Sequence, residues 1–360
     1  MVAVQSRGEH APDSRYLASH MRISRESLFT SGGINAVASF LDGFGANCLI
    51  CVEEKIACWL KDHQHRFHTG LALCLPPRSV IERTLSKELQ IETAREVGFN
   101  VLPTYRLNGK KGLKGHIPQP QYPLCLRPAA PGRIKPQFKA RLVYSVTELR
   151  SFLETIESKG ATILAQPFMN LPNLVVHGAR TVSGASIGLN AFLVERKFEG
   201  VTLTIRPTGL PDILRSRCTE FTDRLGLTGN YHFEFLRDLT AGVDYFLEIN
   251  CRFGGTTAKV FACGYDEPAL ALQSYGLGNF QPTKIQNRLV SSKQAMAKYL
   301  VSVLNGNLSA LDYPAEPKFT RLRKAIFGLL ACRDDVFSFD DIRGSVALYM
   351  ATLRGQLRPL

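Results

Sequence analysis

No stretch of the 360 residues approaches 18 apolar positions without a charge, which excludes a membrane-spanning helix, so no membrane role is expected. The first 21 residues lack the apolar core of a secretory leader, and their polar, irregular sequence is expected to be flexible and loosely attached. Repeats and low-complexity tracts are missing. Gly32-Gly33 precedes an amphipathic stretch but has no G-x-G-x-x-G around it, so the pair reads as structural. No Ser/His/Asp or Cys/His arrangement stands out, and a covalent nucleophile is not expected. The nine cysteines are odd in number and lack a paired CxxC arrangement, so they read as buried free thiols of a reducing cytoplasm. Cys48 and Cys51 lie inside a strand-like run, where a redox CxxC would open a helix. His63, His65 and His68 lack the spacing of a metal-ligand motif and read as a solvated segment.

Positive charge is plentiful: 44 Lys and Arg against 31 Asp and Glu give a net charge of +13. These residues are spread along the chain rather than gathered in one stripe, so no nucleic-acid partner is expected. Phosphate or carboxylate substrates would draw on the same potential.

Apolar periodicity and turn residues predict a mixed α+β and α/β chain. Four regions are expected: residues 1–21 flexible, 22–80 a small α/β domain, 81–280 the main body, and 281–360 mainly helical. Within them, 47–52 and 70–75 read as strands with a helix around 53–61. Residues 82–97 read as one helix ending at Gly98. A polar Lys/Gly loop at 108–116 follows. The run 122–127 is a strand, Ser145 caps a helix over 146–158, and 161–168 is a strand again. Antiparallel strands follow at 174–180 and across 185–206, then a helix over 211–225.

The most informative segment is 231–255, YHFEFLRDLTAGVDYFLEINCRFGG. It predicts two strands joined by a turn, with Glu234 on the first and Glu248, Asn250 and Arg252 on the second. Their i, i+2, i+4 spacing predicts one shared face, while Leu247 and Ile249 point to the core. Two carboxylates and an amide suit Mg²⁺, or Mn²⁺ in its place, and an arginine supplies a donor fork for phosphate oxygens.

From about Arg83 to Gly264 the residues resemble the ATP-grasp superfamily, in particular the ATP-dependent carboxylate–amine ligases. FEF…FLEINCRFGG is similar to that family's acid strand and Glu-x-Asn-x-Arg signature. The resemblance implies a two-lobe ATP-grasp fold with ATP between the lobes. It implies Glu234, Glu248 and Asn250 as metal ligands, with Arg252 steadying the transferred phosphoryl group. Lys87 corresponds to the early lysine near the phosphates, and Gln166 to the hinge position beside adenine, with Phe168 and Met169 as the apolar side of that pocket. Two departures are visible. Arg127 stands where the family has lysine, and its guanidinium is no geometric substitute for an ammonium. The loop 128–137, with Arg133 and Lys135, has a single glycine. Plainer readings stand beside these: Lys87 as a solvated helix residue, Gln166 as a strand-end residue, Arg127 as a partner of the acids, and Arg206 as structural rather than a carboxylate binder.

The implied chemistry is two-step. A substrate carboxylate takes the γ-phosphoryl group of ATP, and an amine displaces phosphate from the acyl phosphate to give an amide. Expected partners are small carboxylic acids and amines, amino acids among them, and a homodimer is allowed. Alternatives are an ATP-dependent carboxylase or carbamoyl-phosphate-type enzyme, and a catalytically weak nucleotide-binding regulator.

Overall fold

A computed structural model describes residues 1–5, 13–108, 121–132, 134–157, 160–281 and 284–356. The Lys/Gly loop of 108–116 therefore lies almost wholly outside the described residues, as does Arg133.

Alternating side chains on a few central strands build the body of the chain. An eight-stranded sheet runs, in spatial order, Arg333–Asp334, Val290–Ser291, Val201–Thr208, Ser186–Phe198, Asn173–Arg180, Gly229–Asp238, Val243–Asn250 and Asn100–Val101. Its five long strands are antiparallel throughout. One face carries Tyr231, Phe233, Phe235, Phe246 and Ile249, which pack on the helix Asp212–Leu225. Phe99 fills the centre of this cluster, with ring centroids 5.1–6.0 Å from Phe221, Phe233, Phe235 and Phe246. Such edge-on and offset contacts add to the area these rings bury.

A second, four-stranded antiparallel sheet has the order Tyr105–Leu107, Ile163–Pro167, Leu124–Pro128, Arg141–Val143. Leu124, Leu126, Ile163 and Ala165 point to one side, onto the helix Val146–Thr155. Ser145 caps that helix, accepting from the Glu148 amide as its sequence predicts. Arg127 and Gln166 point to the other side. Residues 168–172 run from this sheet to the large one.

Several expectations are corrected. The helix expected over 82–97 is two helices, Arg78–Leu85 and Lys87–Glu96. Ser86 interrupts them in extended conformation and caps the second. The first residues are not all loose: Val2–Gln5 pairs in parallel with Ser19–Arg22, and Val2, Val4 and Met21 reach the core beneath. That core lies between the parallel pair Cys48–Ile50 and Ala72–Cys74 and the helices Ser31–Gly43 and Glu54–Asp62. Gly33 is required there, since a Cβ would sit 2.0 Å from the Ser27 carbonyl oxygen. The tail holds the helices Lys293–Leu304, Lys318–Leu330 and Ile342–Gln356, but it also lends the large sheet its two short edge strands. Those two-residue strands are too short to show a period of two. Among the described residues no helix is long and apolar enough to cross a membrane.

Phe99→Ala is expected to destabilise the chain by about 3–5 kcal/mol in urea denaturation, the usual range for emptying an aromatic core site. A loss below ~1 kcal/mol would show that the cluster does not close on Phe99.

Candidate functional site

The face of the large sheet opposite the aromatic cluster carries the acids. Glu234 stands directly across from Glu248, and His232 across from Asn250. The register then slips, so that Phe235 faces Phe246 and Leu247 is the extra residue. This bulge keeps Phe246 among the aromatics while both glutamates stay on the other side. Ile249 is buried as expected, whereas Leu247, in the bulge, is only partly covered.

Four further side chains join the acids. Lys87 is the first residue of its helix, where the dipole disfavours a cation. Its ammonium is paired with Glu248 Oε2. Arg127 brings Nη1 to 3.9 Å from the same oxygen and donates through Nη2 to Gln166 Oε1 at 2.7 Å. Gln166, 4% exposed, donates in turn to Thr104 Oγ1 at 2.9 Å. Asn250 donates to Glu248 Oε1 at 3.2 Å. Glu248, Asn250, Lys87, Arg127 and Gln166 thus form one connected group, with Glu234 across from Glu248 on the next strand. Phe168 and Met169 follow Gln166 into the connection between the sheets and are half-buried, with the Phe168 amide bonded to Pro123 O at 2.8 Å.

Arg252 does not share the acid face. The strand ends at Asn250, the chain bends, and the guanidinium pairs with Glu54 on the helix Glu54–Asp62. The i+4 spacing fails because it holds only while the strand stays extended. Arg206 pairs with Glu195, in line with its structural reading.

Three residues escaped the sequence reading. Gln90 is buried and grips the Ile249 peptide, accepting from its N–H at 2.9 Å and donating to its carbonyl at 3.2 Å. The side chain thereby continues the strand ladder and sets Lys87, one helical turn earlier, over Glu248. Asn173 donates to Glu234 Oε2 at 3.1 Å and accepts from Lys197 Nζ at 2.9 Å. Lys197 also donates to Leu171 O at 2.8 Å. A lysine in the strand VERKF was the one available hint, but only the pairing of strands shows what it meets.

These contacts split the two carboxyl groups. Burial raises the Glu234 carboxyl, the Glu248 charge opposite raises it further, and it rests at about 7 despite Asn173, Lys87 and Lys197. Burial pushes Glu248 up too, but the charges of Lys87 and Arg127 and the bonds from Lys87 and Asn250 outweigh it, giving about 2. Burial lowers the Lys197 ammonium to about 8, against the pull of Glu234. Burial, followed by the neighbouring His177, takes His232 down to about 4. Opposite-register acids with divergent proton affinities can take up a cation, and the cationic rim can meet an anion.

No protein-family model and no curated protein matches the chain. Solved structures do. One N5-carboxyaminoimidazole ribonucleotide synthetase, in its ADP complex, superposes with a TM-score of 0.65 at 12% identity over 84% of this chain and 78% of that one. Another, from Staphylococcus aureus with ADP, gives 0.61 at 14% over 85% and 79%. An L-amino acid ligase from Bacillus licheniformis gives 0.55 at 17% over 76% and 68%.

Because Glu234 holds its proton more tightly folded than unfolded, folding takes up a proton between its ordinary 4.5 and about 7. That contribution is present at low pH and lost as pH rises through about 7. Glu234→Gln should therefore gain on the wild type by on the order of 2 kcal/mol between about pH 5 and about pH 8 in magnesium-free buffer. Urea titrations at both pH values measure it; a gap that stays flat across the window refutes the proton assignment.

Proposed function

The chain has the ATP-grasp fold, and on it we propose an ATP-dependent ligase that activates a small carboxylic acid as its acyl phosphate and joins it to an amine, with an amino acid as one substrate. The observation that carries this reading is the convergence of Glu234, Glu248 and Asn250, rimmed by Lys87 and Arg127, on the sheet face turned away from the aromatic core.

The donor set fits Mg²⁺. All three ligands offer oxygen, and the like-charged pair in register is the arrangement a hard divalent cation relieves. Glu234, Glu248 and Asn250 would hold the ion, and the chemistry supplied there would be neutralisation of phosphate charge. The rest of the work falls to side chains. Lys87, released from Glu248, is the donor for the terminal phosphates. Arg127 presents two faces of its guanidinium, one held by Gln166 and the other toward the acid strand. It thereby aligns the phosphate chain between the two sheets. Gln166, Phe168 and Met169 mark the connection where the adenine would lie. Arg252, exchanging Glu54 for the acyl phosphate, would hold that intermediate while the amine attacks. Closing the 128–137 segment over the site would protect the acyl phosphate from water.

A second reading comes from the neighbours. The synthetases with the higher TM-scores are named for carboxyamino products, and bicarbonate would then be the acid activated. Both readings share the first step and differ in the acid consumed.

Two measurements test the proposal. ADP and phosphate release is expected only when a carboxylic acid and an amine are supplied together with Mg·ATP; release that needs bicarbonate instead selects the carboxylase reading. Glu248→Gln should lower kcat by at least about 100-fold at a temperature where circular dichroism shows the variant still folded, the scale of losing a key electrostatic contact in the transition state. Near-normal turnover in that variant would overturn the assignment.

A further inference from the structure

Behind the acid pair, away from the nucleotide rim, lies a second group of donors that the proposed reaction does not use. His177 on Asn173–Arg180 stands opposite His232 on Gly229–Asp238, with the rings 5.2 Å apart and 23° from parallel. Glu267 opens the helix Glu267–Ser274 beneath them. His177 and Glu267 are fully buried and His232 is 3% exposed. One ligand atom from each of the three lies within 4.8 Å of the others.

The outward hydrogen bonds of His177 and Glu267 are already made. His177 Nε2 is 3.0 Å from Thr256 Oγ1. Asn230 donates to Glu267 Oε1 at 2.9 Å, and Thr257 donates to Oε2 at 2.7 Å. His232 turns Nε2 toward Glu234, at 3.9 Å. Nδ1 of both imidazoles is buried and makes no hydrogen bond. His177 Nδ1 has Glu267 Oε2 at 3.3 Å, so an ion pair could occupy one imidazole. It would leave the other nitrogen desolvated and unpaired, the costly condition for a buried polar atom. A cation among the three satisfies both.

From this geometry we propose that His177, His232 and Glu267 bind a late first-row transition-metal ion of the Zn²⁺ class, distinct from the Mg²⁺ site of Glu234, Glu248 and Asn250. Two imidazoles and one carboxylate are borderline donors that favour such an ion over magnesium. Two of the three ligands have outer partners to orient them: Thr256 for His177, and Asn230 and Thr257 for Glu267. Phe192 and Tyr265 close the apolar shell around His177. Bonds of about 2.0–2.2 Å to a tetrahedral ion require ligand atoms about 3.3–3.5 Å apart, so a spacing of up to 4.8 Å must contract by at most about 1.5 Å, within reach of side-chain rotations. Water would take the fourth position. Gly254 makes the packing feasible, since a Cβ there would lie 2.4 Å from His232 Cε1. The ion would tie two strands to a helix and, through Thr256 and Thr257, fix the turn that follows the acid strand.

The test uses the full chain without a histidine tag, kept in excess Mg²⁺ so that the oxygen site cannot report. One equivalent of Zn²⁺ should survive dialysis, measured by plasma mass spectrometry. Co²⁺ added to the chelated chain should give the visible bands of nitrogen–oxygen coordination at the same stoichiometry. His232→Gln and Glu267→Gln should each lose that equivalent, and Thr256→Val should weaken it roughly 10–100-fold. If the ligand variants fail to fold, Zn²⁺ raising the wild-type melting temperature under excess Mg²⁺, and Thr256→Val weakening that rise, carry the decision. No bound equivalent in the wild type overturns the proposal. So does an equivalent that persists in the ligand variants, or one that disappears only when His63, His65 and His68 are replaced.

Discussion

Two glutamates from neighbouring strands face each other across one register position, and much of the molecule answers to that repulsion. Directly opposed like charges destabilise a strand pair, and burial raises the cost. The chain meets it in two ways at once. Glu248 is neutralised by Lys87 and approached by Arg127, and so stays charged. Glu234 keeps a proton up to about 7. The result is a pair holding one negative charge and one proton, a state that a divalent cation would convert by expelling the proton and displacing the lysine. Readiness to take up a cation and folding stability would therefore pull against each other at this pair.

What holds so unfavourable a pair in place is the opposite face of the same strands. The aromatic cluster around Phe99 fixes Phe233, Phe235 and Phe246, and the period of two then fixes their neighbours on the other side. Gln90 completes the arrangement from the helix, pairing with Ile249 as a strand would. A helix that begins with a lysine against its own dipole is thus held by a glutamine three residues on. The ion pair to Glu248 compensates the unfavourable position of Lys87, and neither would persist without the other.

The legible part of the sequence was the part whose logic is local. Alternation in YHFEFL and FLEIN gave both strands, their turn and the acid face; Ser145 gave a cap. Much of what was missed depends on contacts distant in sequence. Ser86 splits a helix rich in good helix formers because Lys87 must turn toward a strand some 160 residues away, where it pairs with Glu248. Asn173 and Lys197 acquire meaning only when three strands align. Arg252 kept its residue type but not its expected face, because the strand stops two residues earlier. His177 and Glu267 carry no motif at all; the register of one strand and the first turn of a helix bring them to His232.

Arginine at position 127 gains a reason from the same network. A lysine there would offer one point charge, enough for Glu248 or for a phosphate. The guanidinium is planar and donates on two edges. One edge is occupied by Gln166, itself anchored on Thr104, so the arginine is oriented by the small sheet. The other edge faces Glu248 on the large sheet. The residue therefore links the two sheets, and any motion that separates them must break one of its contacts. An ammonium could shift from one sheet to the other without registering the distance between them. The residue that departs from the resemblance is the one that couples the spacing of the two sheets to the charge on the acid strand.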